Sequence, residues 1–221
     1  MGAPDDPRST ADDDPRSRRG LRGRARQVAR AAILEAAEQV FAERGVSGAR
    51  MVDIAAVAGV ATGTLYNYFD SKQAIIQSLT RLRLGEYNRR LAAVCAAAAD
   101  PEQALRALVR TTFEFLDAHR AMYLVVVELG GASLLGLRAV GGPGAAELQE
   151  VYLRLYAEVV AGLAGAGRLR ADVGLDRLVA FLIGTMTGLV QDWALAGAGE
   201  PLVERAELVC DLFLTGAGAR T

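Results

Sequence analysis

The sequence predicts an all-α protein of about nine helices, and three observations lead to this fold class. Over long stretches apolar residues recur three and four positions apart, which is the spacing of one helix face. Glycine and proline pairs separate these stretches. The 221 residues contain no alternating runs joined by a hairpin dipeptide. With 52% hydrophobic residues, the chain can bury a sizeable core.

Three helices are expected in the N-terminal third of the chain. The first covers about 26–45 and ends at Gly45, a plausible residue just beyond a helix C-terminus. The second covers about 50–58 and is ended by Gly59, and the third is a short helix at about 62–68. The inward face of the first is expected to hold Val28, Ile33, Ala37, Val40 and Phe41.

The remaining helices are longer. The fourth begins near Ser71 or Lys72 and extends to about residue 98. Asp100-Pro101 opens the fifth, because proline is tolerated in the first turn of a helix. Loop signals at residues 130–131 and 141–144 divide the rest. The expected helices after residue 100 cover about 101–118, 120–129, 144–164, 175–196 and 201–215.

Charge is distributed unevenly, although the whole chain carries only −1. Residues 16–72 hold ten basic and five acidic residues, or about +5, whereas residues 73–221 hold 14 basic and 16 acidic ones, or −2. This asymmetry places a candidate surface for a polyanion at the N-terminus.

Residues 1–24 are predicted to form a disordered basic arm, because they carry Pro4, Pro7 and Pro15 and almost no large apolar residue. Seven arginines fall in residues 16–30 with no acidic residue among them. One hypothesis is that this run lies along phosphates or enters a minor groove. The alternative is a solvated tail. The start has no apolar segment of a secretory signal, and we expect a cytoplasmic protein without a membrane partner.

Residues for catalysis or metal binding are scarce. Cys95 and Cys210 are isolated and are expected to be reduced thiols in the core. His119 is the one histidine, at a helix end where a capping role is expected, and no phosphate loop or nucleophile elbow occurs. The sequence therefore predicts no cofactor and no metal site, and disfavours an enzyme.

Residues 54–69 have the properties of a helix-turn-helix. Ala55 is small where two helices cross, and Gly59 can adopt the positive φ of the turn. Val60, Leu65 and Phe69 supply an apolar face. The other face is rich in hydroxyl and amide groups, which suits a helix that reads base edges in the major groove.

This stretch resembles the TetR family of transcriptional regulators. The resemblance covers about fifty residues, from RAAILEAAEQVFAERGVSG to DIAAVAGVATGTLYNYFDSKQAII, with the Ala-Gly-Val turn, Gly-Thr-Leu-Tyr, Phe and Ser-Lys at the family's offsets. It implies double-stranded DNA as a partner. The recognition-helix contacts that it implies are Thr62, Gly63, Thr64, Asn67 and Tyr68, and the implied phosphate contacts are Tyr66 and Lys72.

Two departures from the family pattern affect which operator is read. Residues Ala49, Arg50, Met51 and Val52 replace the usual pair of threonines and the basic residue after them, so Arg50 is expected to supply a phosphate or base contact. Ala61 replaces a common serine, which assigns the helix N-cap to Thr62.

The resemblance also implies a domain boundary, with DNA binding in residues 25–71 and effector binding and dimerisation in residues 72–221. The last two helices are expected to form the interface of a homodimer through Gly184, Gly188, Leu208 and Leu212, unless they only complete a monomer core. Candidates to line a site for a small hydrophobic or amphipathic effector, rather than to pack in the core, are Phe113, Tyr123, Tyr152, Met186 and Trp193.

The expected function is that of a repressor that leaves a palindromic operator when an effector binds. An architectural or constitutive DNA-binding protein without an effector is the alternative, and an absent cavity in the C-terminal domain would favour it.

Overall fold

The computed structural model describes residues 15–129, 140–196 and 199–216, and within these ranges the fold is built from helices without a β-strand. The all-α prediction is confirmed. The helices described are α1 (Pro15–Gly48), α2 (Met51–Val57), α3 (Thr62–Tyr66), α4 (Lys72–Ala97), α5 (Pro101–Ala118), α6 (Arg120–Glu128), α7 (Ala145–Gly165), α8 (Leu175–Leu195) and α9 (Ala206–Gly216).

Local signals account for most of the helix ends. Ser71 precedes α4, and its Oγ accepts from the Ala74 N–H at 3.2 Å. Asp100 caps α5 in the same way, with Pro101 in the first turn. Each cap satisfies an N–H group that the helix itself leaves unpaired. A 3₁₀ turn, Leu202–Arg205, precedes α9 where a single helix over 201–215 was expected.

Helix α1 is longer than predicted at both ends. It begins at Pro15, so residues 15–24 are helical and the expectation of a disordered arm is wrong for them; residues 1–14 lie outside the described ranges. Proline in a first turn and the arginines that follow are compatible with a helix. Gly45 has φ 67°, as a C′ residue should, but one helical turn follows it to Gly48. Val28, expected inward, is 70% exposed.

The N-terminal core extends beyond the three-helix unit that the sequence outlined. Ile33, Val40 and Phe41 of α1 pack with Ile54 of α2 and Leu65 of α3. The same cluster takes in the first turns of α4 and one face of α6, through Ile75, Ile76, Leu79, Met122, Val125 and Val126. Packing therefore continues across the predicted boundary at residue 72.

A second, larger core joins the remaining helices. It is formed by α5, α7, α8, α9 and the later turns of α4, with Leu105, Tyr156, Leu182 and Phe213 among its most buried side chains. Helix α4 contributes to both cores and thereby connects them. In the described ranges, no helix has the length and apolar character needed to cross a membrane.

Candidate nucleic-acid interface and internal cavity

Helices α2 and α3 form the expected helix-turn-helix. The turn passes through Gly59 at φ 68°, a conformation that costs a residue with a side chain about 1–2 kcal/mol. Ala55 and Leu65 are buried at 1% and 0% exposure, so α3 rests on its apolar face. Phe69 closes the far end of this face at 2% exposure.

The opposite face of α3 presents polar groups to solvent. Gly63, Thr64, Tyr66 and Asn67 are exposed, while Thr62 and Tyr68 are half-buried. The structure thus places all six implied contact residues of this segment on or beside one short helix. A helix with such a face fits the major groove, where amide and hydroxyl groups pair with base edges.

The expected N-cap of α3 is wrong by one residue. Ala61 occupies the cap with extended torsions and no side-chain hydrogen bond, and Thr62 is the first helical residue. The Leu65 N–H donates to the Ala61 carbonyl at 3.0 Å, which fixes the start of the helix through the backbone alone.

At the start of α2, Arg50 contacts a carboxylate. Its guanidinium makes two bonds to Asp53, at 3.0 and 3.1 Å, and Arg44 reaches the same carboxylate at 3.0 Å. Hydrogen bonding from Arg50 lowers the pKa of Asp53 to about 2. The Asp53 carboxylate is thus paired with two guanidinium groups, so the group of three carries a net positive charge. The Arg50 side chain is still 72% exposed.

Lys72 has a structural role that the sequence did not indicate. Its Nζ donates to the carbonyl oxygens of Val46 and Ala49, at 2.6 and 2.9 Å. These carbonyls belong to the end of α1 and the link to α2, so the ammonium group ties the start of α4 to the helix-turn-helix.

The basic segment of α1 lies against the end of the recognition helix. The Arg26 guanidinium is 5.8 Å from the centre of the Tyr68 ring, and the Arg30 guanidinium is 4.3 Å from that of Phe69. Arg30 also donates to Ser78 Oγ at 2.8 Å. Arg24 and Arg26 are exposed, and none of the described carboxylates pairs with them. They add positive charge beside α3.

A cavity of about 50 Å³ lies between α4, α5 and α6. Its wall is mostly apolar, with a few polar side chains from each of the three helices. The lining residues from α4 are Thr80, Arg83, Leu84 and Tyr87, and those from the other two helices and their junction are Thr112, Phe115, Leu116, His119, Met122, Tyr123 and Val126.

Three hydroxyl groups at one side of this cavity lie within hydrogen-bond distance of one another. The Tyr87 hydroxyl lies 3.0 Å from Thr112 Oγ1 and 3.1 Å from the Tyr156 hydroxyl, and the last two are 2.9 Å apart. Thr112 in turn donates to the Leu108 carbonyl at 2.7 Å. Burial raises the pKa of Tyr156 to about 12 and raises that of Tyr87 well above its ordinary value, so both stay neutral.

Residues 33–79 match the family model described as "Bacterial regulatory proteins, tetR family". This range spans the helix-turn-helix and the helices that support it. The helix-turn-helix segment of this chain is thus that of the TetR family of transcriptional regulators.

Comparison with relatives of the TetR family gives the extent of the likeness. The chain is 27% identical to the fatty acid metabolism regulator protein of Bacillus subtilis over 187 residues, or 83% of this chain and 93% of that one. It is 36% identical to the repressor KstR2 of Rhodococcus jostii over 89 residues, but this match covers only 40% of the chain and 44% of KstR2.

Solved structures of two regulators are similar to this chain over most of its length. The fatty acid degradation regulator FadR of Bacillus halodurans superposes with a TM-score of 0.71 at 28% identity, covering 84% of this chain and 94% of that one. FadR of Bacillus subtilis, solved with stearoyl-CoA, also gives 0.71, at 25% identity, covering 84% of this chain and 97% of that one.

Of the five residues nominated to line an effector site of this TetR protein, one lies on the cavity wall. Tyr123 lines it. Phe113, Tyr152, Met186 and Trp193 do not, and are buried in the C-terminal core at 4% exposure or less. Their nomination as effector-site residues stays a prediction. The aromatic pattern of the sequence pointed to Tyr87 and Phe115 equally well, but the polar residues Arg83, Thr112 and His119 carried no local signal.

Two sets of contacts tie the DNA-binding helices to the rest of the TetR fold. Glu38 of α1 accepts from Arg83 of α4, through Nε at 3.1 Å and through a second, shorter bond, and from His119 Nδ1 at 3.2 Å. Glu128, the last residue of α6, accepts from the backbone N–H groups of Val46 and Ser47, at 3.1 and 3.3 Å. His119 also supplies the expected cap between α5 and α6 with its backbone.

The predicted dimer residues lie on an exposed face of α8 and α9. Leu208 and Leu212 are 51% and 52% exposed, and Phe181 is 53% exposed. Gly184 and Gly188 have open space where a side chain would begin. The face is apolar, and one edge of it, Phe181, stacks on the ring of Phe213, with 6.3 Å between the ring centres. We define this set of five residues as the α8–α9 face.

No group of three or more metal-ligating side chains occurs in the described part of the chain. Cys210 is buried and Cys95 is half-buried, and burial raises the pKa of both thiols, that of Cys210 to about 12. Protonated thiols with raised pKa values are poor nucleophiles and poor metal ligands.

Proposed function

We propose that this protein is a TetR-type repressor whose homodimer binds a palindromic operator and leaves it when a small hydrophobic or amphipathic molecule binds. The observation that carries this proposal is the exposed polar face of α3 held on buried Leu65. Its relatives are regulators by name, which supports a regulatory rather than an enzymatic role. Such a repressor acts in the cytoplasm, where its operator is.

In this proposal the central residues of α3 read bases. Thr64 and Asn67 are exposed on the same turn, and Asn is well suited to a bidentate contact with adenine. Gly63 lets the backbone approach the duplex closely, and Thr62 and Tyr68 border this contact.

Phosphate contacts surround this centre. The proposed phosphate contacts are Tyr66, the last residue of α3 at 48% exposure, and the exposed Arg50 at the start of α2. Lys72 already donates two of its hydrogens to carbonyl oxygens, so at most its third serves a phosphate. Each neutralised phosphate makes the affinity more dependent on salt.

Dimerisation is assigned to the α8–α9 face. Large apolar side chains that stay half-exposed in the single chain indicate a contact that buries them. The two glycines, one helical turn apart, allow a partner helix to approach closely. Two copies of α3 then meet successive major grooves about 34–36 Å apart, which supplies the affinity that one short helix lacks.

The cavity between α4, α5 and α6 is the proposed effector site. At about 50 Å³ it is far smaller than the roughly 300–1,000 Å³ of ordinary ligand pockets. An effector must therefore bind a form in which the cavity is larger, and its preference for that form is the source of regulation. FadR of Bacillus subtilis was solved with stearoyl-CoA, which supports an apolar effector for this chain too.

Helix α6 connects this cavity to the DNA-binding helices. Met122 and Val126 line the cavity and also belong to the N-terminal core with α1. Enlarging the cavity on this side consequently presses on the helices that carry α3. The spacing of the two recognition helices in the dimer is then changed, and the operator is released.

The test is footprinting of the untagged protein on the DNA upstream of its own gene, followed by titration of the protected site. We expect protection of a palindrome and an affinity loss of roughly 10-fold or more for Asn67→Ala, the cost of about 1–3 kcal/mol for a lost base contact. Gln39→Ala, an exposed amide on α1, is the control and should bind as the wild type does.

Protection without any palindrome, or equal affinity of Asn67→Ala and Gln39→Ala, would contradict the proposed reading of DNA. If the operator is protected and no apolar small molecule releases the protein from it, the result would instead favour an architectural protein without an effector.

A further inference from the structure

One ring nitrogen on the cavity wall is buried and lacks a hydrogen-bond partner in the described part of the chain. It is Nε2 of His119. The other nitrogen of that ring, Nδ1, lies 3.2 Å from Oε1 of Glu38. Buried polar atoms in native proteins nearly always have a partner, so an unpaired one beside a cavity indicates a group still to be bound.

Apart from the Tyr123 hydroxyl, the remaining polar side chains on the cavity wall are already engaged. The Thr80 hydroxyl donates to the Ile76 carbonyl at 2.9 Å, and Tyr87 and Thr112 bond with each other. Arg83 is held between Glu38 and Glu86. Of the buried side-chain atoms in the described ranges that lack a partner, His119 Nε2 is the one that belongs to a residue of this wall.

Glu38 determines whether Nε2 of His119 donates or accepts a hydrogen bond. Burial alone would raise the pKa of Glu38. The hydrogen bonds from His119 and Arg83 together lower it by more, so the pKa of Glu38 is below its ordinary value of 4.5. An ionised carboxylate only accepts hydrogen bonds, and Nδ1 must therefore carry the proton of this contact. In a neutral imidazole the opposite nitrogen is then an acceptor.

We propose that the effector is a compact apolar molecule with a hydroxyl group, and that His119 Nε2 accepts a hydrogen bond from that hydroxyl. This inference rests on the proposed function, since it names the chemistry of the ligand that the cavity takes. The apolar wall supplies most of the contact area, and Nε2 selects molecules with a donor over those without one. A site built to pair a hydroxyl strongly rejects the analogue that lacks it, because its buried polar group then stays unpaired.

A hydroxyl bound in this way lies next to the contact between His119 and Glu38 of α1. The imidazole that would receive it also donates to Glu38 of α1. Recognition of the donor group and contact with the DNA-binding helices thus involve the same side chain.

The proton position is testable directly, because the chain contains a single histidine. Untagged full-length protein labelled with ¹⁵N-histidine gives one imidazole spin system, and its two-bond correlations report which nitrogen is protonated. At pH 8 we expect a proton on Nδ1 and none on Nε2. A protonated Nε2 would overturn the inference.

Ligand selectivity is tested with phenol and toluene, which differ in the hydroxyl group and are close in size. Dissociation constants for both are measured by ligand-observed NMR on the wild type, His119→Phe and His119→Gln. Comparing the ratio of the toluene to the phenol constant between variants cancels the different hydration of the two probes. We expect this ratio to fall about tenfold in His119→Phe, the value of one hydrogen bond of about 1.4 kcal/mol.

His119→Gln retains an acceptor at the position of Nε2 and should keep the ratio within roughly threefold of the wild type. Equal ratios in the wild type and His119→Phe, or no binding of either probe, would overturn the inference. Should His119→Phe fail to fold, the proton position in the wild type still decides it.

The proposed function fails in a different experiment. If the wild type without any probe does not bind the operator, the DNA-binding role is refuted. The measured selectivity for phenol over toluene is not affected by that result. Intact operator binding without selectivity would refute only the acceptor role of His119.

Discussion

Replacing Glu38 by glutamine tests the contact between α1 and the rest of the fold. The substitution keeps the shape of the side chain and removes its charge. It weakens the bonds from Arg83 and His119, and it places an amide against a guanidinium that was paired with a carboxylate. Arg83 then keeps one carboxylate partner, Glu86, at 3.0 Å.

The magnitude follows from the burial of the pair. The Glu38 and Arg83 side chains are 16% and 20% exposed. Exposed pairs contribute about 0–1 kcal/mol, whereas breaking a fully buried pair costs about 3–5 kcal/mol. A cost of about 2 kcal/mol lies between these limits and allows for the remaining partner of Arg83. In a chain of this size it corresponds to a Tm lower by roughly 4–8 °C.

The assay is thermal unfolding followed by circular dichroism, with Glu43→Gln as the control. Glu43 is exposed on the same helix and accepts a bond only from Gln39, so its replacement should change the stability by less than about 0.5 kcal/mol. Equal Tm values for the two variants would refute the assigned role of Glu38.

The pH dependence gives a second check with a definite sign. The pKa of Glu38 in the folded protein is below 4.5. A carboxyl group with a lowered pKa stabilises the fold fully above its unfolded pKa and loses this contribution as the pH falls through the folded value. The stability difference between the wild type and Glu38→Gln should therefore shrink as the pH falls below about 4.5. A difference that grows below this pH would contradict the role assigned to Glu38.

Three further predictions concern single contacts. Lys72→Met should lower the free energy of unfolding by about 1–3 kcal/mol, because two carbonyl oxygens lose a charged donor; a side chain that served only phosphates would leave the Tm unchanged. Gly59→Ala should cost about 1–2 kcal/mol in chemical denaturation because φ is 68° there, and no loss would refute the left-handed turn. Leu212→Glu should yield a monomer by light scattering, whereas Leu124→Glu, 39% exposed outside the α8–α9 face, should remain a dimer; two dimers would refute the assigned interface.

The parts of the fold that the sequence predicted well depend on local rules. Gly59 and Pro101 mark a turn and a helix start through their own backbone preferences, and the structure has both where expected. The two faces of α3 follow from the positions of Leu65 and its polar neighbours within a single helix. Such features need only a few consecutive residues, and for that reason a single sequence contains them.

The cavity wall could not be predicted because it depends on how α5 is rotated in the assembled protein. Phe113 was nominated as an aromatic residue, yet its neighbour Thr112 lines the cavity and Phe113 packs in the core. One step along a helix turns the side chain by about 100°. Which residue faces the cavity is therefore decided by contacts with α4 and α6, which are distant in sequence.

Lys72 shows the same limit for a residue assigned by resemblance. Its position in the family pattern implied a phosphate contact, but the carbonyl oxygens of Val46 and Ala49 lie within hydrogen-bond distance of its ammonium group. These two acceptors precede it by 26 and 23 residues. Their proximity results from the fold of α1 against α4 and has no counterpart in the local sequence.

The anchoring of α6 limits how a filled cavity can act on the DNA-binding helices. His119, just before its first residue, donates to Glu38, and Glu128, its last residue, accepts from Val46 and Ser47. Nine helical residues separate these two links by about 13 Å along the axis. A helix held to α1 at both ends cannot slide along it without breaking one link.

Pressure from the cavity on the α6 face that carries Met122 and Val126 must consequently move α1 together with α6, or break a link. Both responses alter the position of α3 relative to α4, because α1 packs against α2 and shares a buried core with α3. The two links therefore let expansion of a small cavity reach the DNA-binding helices, with no need for the effector to touch them.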